Sequence, residues 1–181
     1  MTQQASPLTY EGILELFRQT DLKFQEVAKE SKRINRKISA LGSRVGEIVE
    51  NMVQGNIVEK FQQYEYVVTQ HCRNMVFGSK ELDTRGEVDL LLENGDVAIL
   101  IEVKTTLETA DVRTHIERLE KYRRHADARG DKRRFIGAVA GAVVREEAAK
   151  FAHKNGMFVI VQSGQAVDIV APPENFVAKE W

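Results

Sequence analysis

The chain has one cysteine, three prolines and one tryptophan in 181 residues, and neither sign of charge prevails, with 26 Lys/Arg against 27 Asp/Glu and a net charge of −1. The lone Cys72 permits no intrachain disulfide and no multi-cysteine metal site, and is expected as a small buried apolar residue. Near-zero charge argues against a protein that coats nucleic acid through a general Lys/Arg excess. No stretch approaches the roughly 20 apolar residues of a membrane span. The polar opening MTQQASPLTY lacks the charged-then-apolar pattern of a signal peptide. A cytoplasmic location without a membrane partner is therefore the default expectation. What is present is a hydrophobic fraction of 43%, enough for one proper core in a globular domain with an extension.

From Ile13 onward apolar residues recur at alternating spacings of four and three: Ile13, Phe17, Phe24, Val27, Ile34, Ile38, Leu41, Val45, Ile48 and Met52, with Thr20 and Ser31 in the remaining slots. This is an a/d heptad seam. A helix of about 40 residues would run about 60 Å, too long to bury its seam against a domain of this size. A partner helix from another chain is expected, and hence a homo-oligomer. Positions a and d mix β-branched, aromatic and polar residues, which leaves the number and direction of the helices open. Gly42, Gly46 and Gly55 weaken the last third of the helix and mark its passage into the globular part. The expected organisation is a coiled-coil oligomerisation helix over residues 1–44 and a globular domain over 45–181.

Downstream the periodicity shortens. Residues 66–77 read as a strand or two, 87–92 and 97–103 as strong strands, 112–126 as a helix, and 135–144 as a buried strand. A helix over 146–155 is stopped by Gly156, then come strands over 157–161 and 166–170, with Pro172 and Pro173 ending regular structure. That order predicts an α/β domain with a mixed central β-sheet flanked by helices.

Between the two strong strands lies Glu93-Asn94-Gly95-Asp96, and Asn-Gly between apolar runs signals a two-residue type I′ hairpin. If Glu93 faces Asp96, then Glu87 faces Glu102 and Asp89 faces Leu100. Side chains alternate, so Glu87, Asp89, Glu102 and Lys104 share one face, and Val88, Leu90, Leu92, Val97, Ile99, Ile101 and Val103 form the apolar other. Leu91, Ala98 and Leu100 make the charged face partly apolar as well, so both sides are expected to be covered. Three carboxylates at the margin of a covered sheet repel one another unless a cation or the lysine compensates. They offer hard oxygen ligands suited to Mg²⁺ or Mn²⁺, with Lys104 able to reach the same space. An isolated Glu-x-Lys is commonplace and usually makes a weak surface pair; the hairpin context sets this one apart.

Gly86-Glu87-Val88-Asp89, twelve intervening residues and then Glu102-Val103-Lys104 resemble the PD-(D/E)XK nuclease superfamily. The resemblance extends to the order of elements over about residues 45–165, and the whole chain looks closest to an uncharacterised prokaryotic branch that couples this domain to a coiled coil. It implies a restriction-endonuclease-like fold and a metal-dependent nuclease that hydrolyses phosphodiester bonds, with DNA as the expected partner. By that resemblance Asp89 and Glu102 bind Mg²⁺ or Mn²⁺, the Val103 main-chain carbonyl completes the shell, and Lys104 positions or activates the attacking water. The first-helix carboxylate of the family maps to Glu47 or Glu50. Val88 stands where the motif often has proline, a position that varies widely.

Other candidates carry less. Between Arg113 and Arg134 there are nine Lys/Arg and four Asp/Glu, ending in Lys132, Arg133 and Arg134; Arg113 and this cluster are the expected nucleic-acid-binding residues, against the alternative of a solvated helix face. His115 falls early in the helix after the Glu-x-Lys strand and could face the site or simply pack. His71, His125 and His153 have no ligand spacing to one another. Trp181 suits either an anchor for a partner chain or packing onto its own domain. A catalytically silent nucleic-acid-binding module and a coiled-coil scaffold are the alternatives to the nuclease.

Overall fold

The computed structural model describes residues 9–164 and 166–181, and the side chains of all of these except 39–44, 52 and 54. The seam residues Leu41 and Met52, and Gly42, thus have side-chain positions outside the described set. The chain divides into two units, Met1–Arg44 and Val45–Trp181.

The first helix, α1 (Tyr10–Gln62), begins at Thr9, whose Oγ1 accepts a hydrogen bond from the Gly12 amide at 3.2 Å. In the first unit its seam is open to solvent: Phe17 is 70% exposed, Phe24 69%, Val27 66% and Ile38 62%. In the second unit a stripe at four-residue spacing, Val49, Val53, Ile57 and Phe61, is buried against the sheet. That stripe carries the helix through Gly46 and Gly55, whose local cost is about 1 kcal/mol each, to Gln62.

Six strands follow: β1 (Gln70–Ser79), β2 (Thr84–Glu93), β3 (Val97–Leu107), β4 (Arg134–Val144), β5 (Phe158–Ser163) and β6 (Ala166–Ile169). They form one mixed sheet in the order β1-β2-β3-β4-β5-β6. The first three strands are antiparallel; β3, β4 and β5 run parallel, and β6 returns antiparallel. The parallel pairs need crossovers, supplied by α2 (Thr109–Ala128) and α3 (Glu146–Lys154). Both pack on one face of the sheet, around Leu100, Leu119, Phe135, Val139 and Met157. The final part of α1 covers the other, around Ile99, Ile101, Ile136 and Ile160, with Phe61 edge-on to Phe158 at 5.4 Å. The fold is therefore the expected mixed sheet flanked by helices, after a long N-terminal helix. Among the described residues no helix is long and apolar enough to cross a membrane.

Two local expectations fail. The β2–β3 connection is not the expected turn centred on Asn94-Gly95: Glu93 pairs with Ala98 and Leu91 with Leu100, and the Asn94 amide donates to the Val97 carbonyl at 3.0 Å. The Asn94 side chain explains this, since its Oδ1 accepts from the amides of Asp96 and Val97, both at 2.8 Å. This Asx-type closure needs no left-handed residue, and Gly95 is not among the residues with positive φ. Cys72 is exposed rather than buried, because β1 is an edge strand whose first residues, Gln70, His71 and Cys72, are open to solvent.

Candidate functional site

The register found for β2 and β3 is offset by two residues from the expected one. Continued past the last pair, Leu90 with Ile101, it sets Asp89 rather than Glu87 opposite Glu102. The ladder ends at that pair. In its place the Val103 amide donates to Asp89 Oδ2 at 2.7 Å, so a carboxylate takes over a backbone acceptor's role. On the opposite edge of β2 the pairing with β1 skips Asn74 and Asp89 but keeps one register on both sides, Arg73 with Leu90 and Met75 with Val88. Asn74 has φ 49°. A left-handed residue breaks the two-residue alternation. Val88 packs on the α2 face with Leu91, while Leu90 and Leu92 pack on the α1 face with Val97, Ile99, Ile101 and Val103. Val88 thus leaves the apolar face expected for it, and Asp89, half-buried, sits at the break.

Glu102 is 2% exposed. Its Oε1 accepts from Lys104 Nζ and its Oε2 from an Arg118 guanidinium nitrogen. A buried carboxylate is tolerated only when paired, and here two cations from different elements satisfy both oxygens. Arg118 was not among the expected site residues. It lies three residues after His115 on α2, a spacing that puts both on one side of a helix, and that spacing was the available signal. Gly86, the first residue of the Gly-Glu-Val-Asp motif, lies nearby and makes room for Phe77: a Cβ there would lie 2.6 Å from the Phe77 ring, while Arg118 Cγ would stand at an ordinary 3.5 Å. Glu87 is exposed.

His115 is fully buried on α2, with Nε2 3.0 Å from the Leu100 carbonyl oxygen. A carbonyl only accepts, so Nε2 carries the proton and Nδ1, which has no partner, does not. Burial pushes its pKa down to about 4; the Leu100 bond and the Asp89 charge raise it and the Lys104 charge lowers it. His115 is thus a neutral residue within electrostatic reach of Asp89 and Lys104.

The donors present, the Asp89 and Glu102 carboxylates, are hard oxygens of the kind Mg²⁺ and Mn²⁺ take. Residues in extended backbone present N–H and C=O to the same edge, so the Val103 carbonyl faces β2 as its amide does. Among the described residues no group of three or more His, Cys, Asp or Glu is assembled to hold a metal. Glu50 is turned to Arg73, at 3.2 Å, and Glu47 is exposed. The set that fits a divalent cation is therefore two carboxylates and a main-chain carbonyl, completed by water.

The expected basic rim is elsewhere. Arg134 pairs with Val97 at the start of β3, five residues before Glu102, or roughly 17 Å along the strand. Arg133 is held by Asp131 and Glu93, and Arg134 by Glu180 at 3.0 Å. These ion pairs hold the Arg133 guanidinium proton more firmly than usual. Lys132 is exposed, and Arg113, also exposed, stacks 4.6 Å above the Phe151 ring. Of the remaining histidines, His71 is exposed, His125 lies beside Phe77 and His153 beside Phe176. Trp181 packs onto its own domain, its amide donating to the Phe135 carbonyl at 2.9 Å.

No family model and no curated protein matches the chain. Among solved structures it is similar to AF1548, a protein of unknown function, with 16% identity, a TM-score of 0.43, and coverage of 67% of this chain and 58% of that one. It is also similar to the EndoMS chain of the EndoMS-dsDNA2 complex, with 16% identity, a TM-score of 0.38, and coverage of 68% and 46%. The chain thus spans about half the length of the structures it matches. Likenesses at this level assign neither a family nor an activity.

Proposed function

We propose that the chain is a metal-dependent nuclease that hydrolyses phosphodiester bonds, in DNA foremost, and that it works as a homo-oligomer joined through α1. The observation that carries this reading is the juxtaposition of Asp89, Glu102 and Lys104 where β2 and β3 part, with Asp89 on the Val103 amide and Lys104 on Glu102. Asp89, Glu102 and the Val103 carbonyl would hold Mg²⁺ or Mn²⁺. When bound, such a cation supplies Lewis-acid polarisation of a phosphoryl oxygen and acidifies a coordinated water. Lys104, whose side chain is 38% exposed, can donate hydrogen bonds to an attacking water or to the developing negative charge. The sheet fixes the spacing of the two carboxylates, and the Val103 amide holds the Asp89 carboxylate in one orientation.

Oligomerisation rests on the apolar seam of the first unit, from Ile13 to Ile38, which is exposed at every described apolar position. A second copy of the same helix would bury it. The same seam supports a second reading, a coiled-coil scaffold whose globular end binds without cutting. The two separate by experiment. Purified protein with Mg²⁺ or Mn²⁺ is offered supercoiled, linear, single-stranded and branched DNA, and RNA, beside Asp89→Ala and Lys104→Ala. Cleavage lost in both variants supports the nuclease; absence of both cleavage and a metal-induced rise in melting temperature leaves the scaffold.

A further inference from the structure

We propose that Arg118 is the internal counter-ion of this site: it occupies Glu102 until a divalent cation displaces it, and so sets the affinity of the site for metal. The inference rests on the reading of Asp89 and Glu102 as ligands. Glu102 has both oxygens engaged, Oε1 by Lys104 and Oε2 by Arg118. Two carboxylates, Asp89 and Glu102, and two cations, Lys104 and Arg118, already balance in charge. A divalent cation added to this arrangement would leave an excess of two positive charges in a poorly solvated place, which is costly at low dielectric. A guanidinium does not shed its proton near neutral pH. Moving one of the two cationic side chains away cuts that excess from two charges to one.

Arg118 is placed to be the one that moves. Its side chain is 21% exposed against 3% for that of Glu102, so part of it already meets solvent. It comes from α2, not from the strands that carry the ligands, and swinging it out breaks no sheet hydrogen bond. Its Cγ lies beside Gly86, 3.5 Å from where a Cβ would stand. At Oε2 the guanidinium and the metal are mutually exclusive.

The test is Mn²⁺ binding followed by electron paramagnetic resonance, with wild type, Arg118→Met, Arg118→Lys, Arg113→Met and Asp89→Ala. Met keeps much of the apolar stem of Arg118. Arg113→Met removes the same charge from the exposed side of the same helix and controls for remote electrostatics. Arg118→Met is expected to bind Mn²⁺ about tenfold more tightly than wild type, Arg118→Lys by an intermediate factor, and Arg113→Met within about twofold. Without metal Arg118→Met should melt below wild type, and Mn²⁺ should raise its melting temperature by more. Equal or weaker binding by Arg118→Met and Arg118→Lys, with wild-type binding intact and lost in Asp89→Ala, overturns the counter-ion role alone. An equal gain in Arg113→Met does the same. If wild type does not bind Mn²⁺, or Asp89→Ala binds as wild type does, the ligand assignment fails and the inference with it.

Discussion

The Val103 amide donates to Asp89 Oδ2 at 2.7 Å just beyond the last β2–β3 pair, Leu90 with Ile101. One carboxylate oxygen thus closes the sheet where the strands part, and in the function proposed above the same carboxylate also serves the metal. The two roles separate on substitution. Asp89→Asn keeps an oxygen for the amide and should unfold in urea within about 1 kcal/mol of wild type, whereas Asp89→Ala strands a part-buried N–H and should lose about 1–3 kcal/mol. Both should abolish cleavage and the metal-induced melting shift. Equal destabilisation by the two would count against the hydrogen bond as the structural part of the role.

Gly86 supplies a different kind of constraint. A Cβ there would lie 2.6 Å from the Phe77 ring, which is 5% exposed and packs edge-on to Tyr122 at 5.0 Å. Neither ring can retreat freely, so Gly86→Ala should destabilise by about 1–3 kcal/mol through overpacking, read as a lowered urea midpoint at unchanged slope.

His115 links stability to pH. Its folded pKa is lowered to about 4 by burial, below the unfolded value of about 6.5. Between these values the unfolded chain binds a proton that the folded chain refuses, so stability is fully present above pH 6.5 and falls as pH drops toward 4. The span corresponds to about 3 kcal/mol. Carboxylates titrate in the same range, so the measurement is a difference: urea denaturation of wild type and His115→Asn at pH 7.5, 6, 5 and 4.5. Stability should fall more steeply in wild type. Parallel curves would mean that His115 takes up a proton as readily in the folded chain as in the unfolded one.

Much of this site was legible because a strand's faces depend only on parity. The hairpin register inferred from Asn94-Gly95 was two residues out, yet an even shift leaves every side chain on its own side, and Glu102 and Lys104 still converge with Asp89. Val88 escaped the pattern because the alternation of β2 is broken at Asp89, where the pairing with β1 is interrupted. The turn escaped because an asparagine side chain closes it in place of a left-handed backbone. Lys132, Arg133 and Arg134 look like a phosphate-attracting cluster in sequence. Two of their counter-ions, Glu93 and Glu180, come from 40 and 46 residues away, a neutralisation that local charge counting does not register. Arg118 was hidden inside the same basic stretch, although its spacing from His115 singles it out once α2 is known to face β3.

The open seam of α1 leads to the last prediction. Phe17 and Phe24 are 70% and 69% exposed, at positions separated by one heptad. A helix with large apolar residues along one stripe gains little from propensity alone and is stabilised chiefly by burying that stripe. Within the first unit nothing among the described residues covers it. In the function proposed above a second copy covers it. Phe17→Glu with Phe24→Glu would place like charges at the centre of such an interface and should convert an oligomer to a monomer in analytical ultracentrifugation, with a fall in helical circular dichroism from the first unit. The sheet and the ion pairs of Glu102 lie wholly within the second unit, so Mn²⁺ binding there should persist in the monomer. Cleavage that needs two sites on one DNA would fall while nicking of a single strand survives. A wild-type chain that sediments as a monomer at micromolar concentration would remove the oligomer from the proposal and leave the site untouched.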